Sequence, residues 1–71
     1  MPSKYPVLTP NEVITKLEKK NFVFISQKGS HRKYSDSVHV VIIPMHDEIA
    51  KGTLKSILQQ AKISLEEFMK L

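Results

Sequence analysis

The stretch from Phe22 to Ile43 constrains the fold more than any other part of this 71-residue chain. Short segments rich in aromatic and β-branched residues alternate there with turn residues: FVFISQ at 22–27, a turn at Lys28 to Ser30, HRKYS at 31–35, a break at Asp36 and Ser37, and VHVVII at 38–43. Each segment is too short for a helix, and the breaks carry residues that favour turns, so the run predicts three antiparallel strands joined by tight turns. Asn21, which tolerates the left-handed geometry that stops a helix, precedes the first strand. Pro44, which has no N–H to give to a ladder, ends the last.

Both flanks read as helices. In TPNEVITKLEKKN, Thr9 can cap, Pro10 suits the first helical position and Glu12 completes a Thr-x-x-Glu capping box. Val13, Ile14 and Leu17 then make one apolar stripe, which predicts a helix from about Pro10 to Lys20. After a connecting loop, MHDEIAKG, the spacing of Leu54, Ile57, Leu58 and Ala61 predicts a second helix over about Lys51 to Lys62. Ser64 and Glu67 form another capping-box pattern, opening a short helix that can tuck Leu65, Phe68 and Leu71 against the core. The order is α-β-β-β-α plus a terminal helical turn. It defines an α+β fold, a three-stranded antiparallel sheet with helices packed on one face and the other face wet. The polar HRKYS strand suits that wet face. Some double-stranded-RNA-binding domains share this order, but a fold does not fix a function.

At this length one domain, 1–71, is expected, with a small core. The absence of cysteine removes disulfides, thiol nucleophiles and thiolate metal sites, and fits a reducing cytoplasm. Met1 to Pro10 lacks the apolar run of a signal peptide, and no apolar segment is long enough to span a bilayer, so no membrane role is expected. Eleven Lys and Arg against seven Asp and Glu give a formal charge of +4 and favour a polyanionic partner.

The candidate site lies in QKGSHRKYSD, residues 27–36. An imidazole titrating near neutrality can move a proton, and His31 directly follows Gly29 and Ser30, whose backbone and hydroxyl can approach a phosphate closely. Lys28, Arg32 and Lys33 supply the positive charge that a pentacoordinate phosphorane needs. On RNA, attack by a 2′-hydroxyl on its neighbouring phosphate requires a base, an acid and anion stabilisation, with no cofactor. The same residues also fit a plain hairpin turn followed by a solvated strand. Tyr34 reads either as a half-buried strand aromatic or as a base-stacking platform. A three-residue loop at Ser35 to Ser37 would bring His39 onto the face of His31, and a two-residue turn would separate them. His46 and Asp47 read as loop capping groups, with His46 a candidate to reach the site. A metal held by His31, His39, His46 and Asp47 would match no common zinc spacing, so no metal is expected.

GSHRKY on the second strand, followed by VVIIPMHDEIAKGTLKSILQQAKIS, closely resembles the HicA family of bacterial toxins over about Thr9 to Leu65. The resemblance implies a fold related to double-stranded-RNA-binding domains and an endoribonuclease that cuts mRNA until a HicB-like antitoxin binds it. It also implies that His31 is the catalytic histidine, with Gly29 and Ser30 matching the residues before it. The second proton-transfer group stays open among His39, His46, Tyr34 and water. One departure is visible: family members commonly carry glycine where this chain has Lys62, and a left-handed cap there would cost a lysine about 1 kcal/mol. A non-catalytic RNA-binding module on the same basic surface is the alternative from another class. A purely protein-binding domain explains the charge less well.

Overall fold

The computed structural model describes residues 5–71, and the part of the N-terminal stretch at 1–4 lies outside the described residues. The elements are α1 (Pro10–Glu18), β1 (Val23–Lys28), β2 (His31–Ser35), β3 (Val40–Pro44), α2 (Lys51–Ala61) and α3 (Leu65–Met69). The strands form one antiparallel sheet in the order β1-β2-β3. One cluster forms the core, with Val13, Ile14 and Leu17 of α1, Tyr34, Val41 and Ile43 of the sheet, Leu54, Ile57, Leu58 and Ala61 of α2, and Phe68 of α3. Helices therefore cover one face of the sheet and leave the other to solvent, the expected α+β arrangement.

Local chemistry sets the ends. At α1, the Thr9 hydroxyl accepts from Glu12 N–H at 3.2 Å and the Glu12 carboxylate accepts from Thr9 N–H at 2.8 Å, completing the capping box. The helix stops at Glu18, two residues short of Lys20, because Asn21 takes φ 69° and a Schellman closure forms. In that closure Phe22 N–H donates to Leu17 and Asn21 N–H to Glu18, while Phe22 turns into the core. The same closure ends α2. Ile63 N–H donates to Leu58 and Lys62 N–H to Gln59, with Lys62 held at φ 59° and ψ 41°. The lysine adopts the left-handed cap that a glycine would take more easily, and the helix ends at Ala61 rather than Lys62. At α3 only half of the expected box forms. The Ser64 hydroxyl accepts from Glu67 N–H, but the Glu67 carboxylate turns to Lys20 Nζ at 2.6 Å.

Two strand limits also move. β3 begins at Val40 rather than Val38, because the Asp36 carboxylate takes the N–H groups of Val38 and His39 that a longer ladder would need. β1 runs one residue later than expected and carries a bulge between Phe24 and Ser26. The edges of the sheet differ. Gln60 Oε1 of α2 accepts from Ile42 N–H at 3.0 Å and occupies the β3 edge, whereas β1 is exposed along its whole length.

Candidate functional site

Two turns and one register build the site. Lys28 pairs with His31 across a two-residue loop, Gly29 and Ser30. Gly29 has φ 59°, as a glycine-first hairpin turn of this length requires. A Cβ there would meet nothing within 4 Å, so the backbone angle, and not lack of room, calls for glycine. From the other side, Met45 N–H donates to the Ser30 carbonyl at 2.6 Å and ties the turn to the chain leaving β3.

Register then sorts the side chains by face. Lys28, His31 and Pro44 form one row across the sheet, and Ser26, Lys33 and Ile42 the next row on the same face. Between them runs the row of Gln27, Arg32 and Ile43, on the helix-covered side where Ile43 is buried. Of the residues read from the sequence, Lys28, Gly29, Ser30, His31 and Lys33 come together, lining an open depression of about 660 Å³ with Ser26 and Ile42. Arg32 does not join them. Its Nε donates to Gln27 Oε1 at 3.0 Å, and its guanidinium lies 5.9 Å from the centre of the Phe24 ring. Grouping by charge placed Arg32 with its neighbours, but strand alternation separates it from His31 and Lys33. Ser26 was not read from the sequence; the β1 bulge, which no residue in FVFISQ announces, turns it onto the open face.

The histidines part company. His39 lies past the far end of β2, where Asp36 N–H donates to the His39 carbonyl across a turn containing Ser37 at φ 77°. Asp36 lies five positions after His31, roughly 16 Å along a strand. His39 Nδ1 is 3.0 Å from Asp36 Oδ2. The His39 N–H, the His39 ring and the Val38 N–H hold the Asp36 carboxyl down to about 2, against an ordinary 3.8. This pair closes a turn and stands away from the His31 depression. Tyr34 is a core residue at 4% exposure, neither half-buried nor a platform. His46 is exposed in the loop just after the Met45 to Ser30 bond, at the same end of the sheet as His31. His46 and Asp47 do not act as capping groups: neither side chain carries a hydrogen bond among the described residues, and Asp47 contributes through its backbone at φ 43°. Among the described residues no three His, Asp or Glu side chains converge on a common point that could hold a metal.

No described hydrogen bond engages the His31 imidazole, which stands exposed in the row of Lys28, beside the row of Lys33. From Lys19 to His46 the only acidic residue is Asp36, at the opposite end of the sheet. Among the described residues no carboxylate lines the depression around His31, although Asp47 and Glu48 follow in the loop at that end of the sheet. The arrangement can therefore hold a phosphate against two ammonium groups and the Gly29–Ser30 turn, with a free imidazole beside it.

The fold and this surface together define a small α+β protein whose fold is like that of double-stranded-RNA-binding domains, with a cationic, histidine-bearing sheet face. The family model described as the HicA toxin of bacterial toxin-antitoxin matches residues 10–63, and the chain belongs to that family. A search of curated proteins gave no match. No helix among the described residues is long and apolar enough to cross a membrane.

Proposed function

We propose that this toxin is an endoribonuclease that cleaves mRNA in the cytoplasm, with His31 moving the proton. Lys28, Lys33 and the Gly29–Ser30 turn hold the scissile phosphate while the neighbouring 2′-hydroxyl attacks it and the 5′-oxygen leaves. His31 takes the hydroxyl proton or gives one to the leaving oxygen, and water or His46 serves as the other group. The observation that carries this reading is the free imidazole of His31 beside two lysines in a depression that no described carboxylate lines. Metal plays no part in the scheme, because the ammonium groups supply the charge stabilisation. A HicB-like antitoxin with an acidic surface silences the enzyme by covering that face.

Incubating the protein with a labelled single-stranded RNA in EDTA, beside the fully 2′-O-methylated copy, tests the scheme. Cleavage of the RNA alone is expected. Binding of both without cleavage of either would favour an RNA-binding module instead.

A further inference from the structure

Among the aromatic residues, Phe22, Tyr34 and Phe68 are buried and Tyr5 is partly buried against the core, while Phe24 is 53% exposed. Its ring is nevertheless fixed. It meets Tyr34 edge to face at 5.8 Å, and Arg32 lies over it. Arg32 in turn is held by Gln27, whose Nε2 donates to the Gly29 carbonyl at 2.8 Å. A continuous set of contacts thus links Phe24 to the turn beside His31, on the side of the β1–β2 hairpin opposite the phosphate surface. Fixing an exposed aromatic ring beneath a guanidinium makes a surface on which any base can stack, because every base has a π face and the cation reinforces the contact. Val23, Val40 and Ile42, exposed apolar residues of the open face, are all aliphatic.

We infer that Phe24 and Arg32 form a stacking platform for an unpaired nucleobase of the RNA whose phosphate lies at His31, so that the substrate strand crosses the β1–β2 hairpin. This rests on the ribonuclease reading. Phosphate contacts at Lys28 and Lys33 would position the strand without regard to sequence, and the platform would select single-stranded over paired RNA. Paired bases cannot lie on the ring.

The test uses His31→Ala to prevent cleavage and a single-stranded oligonucleotide carrying 2-aminopurine, whose fluorescence falls on stacking. Binding should quench the probe, Phe24→Leu should weaken binding roughly 5- to 100-fold and abolish the quench, and Phe24→Trp should restore both. Arg32→Lys, which keeps the charge and loses the plane, should behave like a milder Phe24→Leu. Wild-type affinity and quenching in Phe24→Leu would overturn the platform while leaving the cleavage assay above to decide the ribonuclease reading. Quenching by a wild-type protein that cuts no RNA would keep the platform and remove the ribonuclease. If Phe24→Leu impairs only the binding of an acidic protein partner, the ring belongs to that interface and the inference falls.

Discussion

The two ends of the β2–β3 ladder each carry a histidine, and they use it differently. At one end His39 is bound to Asp36, which also collects two backbone N–H groups and turns the chain. At the other end a glycine-led loop and a bond from Met45 shape the turn, and His31 is left with no described partner. Where the backbone and a neighbouring side chain, Gln27, close the turn, the histidine beside it stays free for a ligand. Where a side chain closes the turn, it is committed to the fold.

The largest effect that can break this contrast is on cleavage. Replacing His31 by Ala should lower the rate by about 10² to 10⁴, the usual cost of losing a general acid or base, and should change stability by no more than about 0.5 kcal/mol because the side chain is exposed. Cleavage rate and thermal midpoint on the same sample check both. RNA affinity should change little.

Next comes charge. If roughly four phosphates are engaged, log K should fall with log salt at a slope of about −3, and Lys28→Gln with Lys33→Gln should make it shallower by about 1.4. Arg32→Lys should leave the slope as it is. A salt titration of RNA binding by the three proteins sharpens the division between the two faces of β2, and equal slopes for all three would erase it.

Smaller effects fall at the His39 end. The folded-state pKa of Asp36 lies below its ordinary value, so its contribution to stability is complete above about 3.8 and is lost as the pH falls toward about 2. Asp36→Asn should lower the thermal midpoint at neutral pH and remove that part of the acid dependence; melting curves from pH 2 to 7 read both. The smallest effect is a gain. Lys62→Gly relieves a left-handed lysine and should add up to about 1 kcal/mol, a rise of roughly 4–8 °C in the midpoint, without altering cleavage.

Local chemistry explains what could be read from the sequence. The Thr9–Glu12 box, the left-handed Asn21, the Gly29 turn and the Leu54, Ile57, Leu58 stripe each rest on residues close in the chain, and each appears where its residues put it. Long-range pairing was less legible. A bulge in β1 changes which face Ser26 occupies, and nothing in its own sequence specifies the bulge. FVFISQ, the most apolar opening of any strand, proves to be the uncovered edge, since composition does not tell which strand the helices will cover. For Arg32 the signal was present: alternation alone puts it opposite His31 and Lys33. His39 depended on loop length, and the Asp36 carboxylate settled it by capturing the N–H groups of Val38 and His39.

In the proposed scheme one histidine of the sheet serves chemistry and the other serves structure. Single-turnover cleavage of one labelled RNA in EDTA by His31→Ala and His39→Ala, run beside wild type at a temperature where all three are folded, tests it most directly. His31→Ala should lose a factor of about 10² to 10⁴, and His39→Ala should cut at a rate within a few-fold of wild type. Wild-type cleavage by His31→Ala, or an equal loss in a folded His39→Ala, would contradict the scheme.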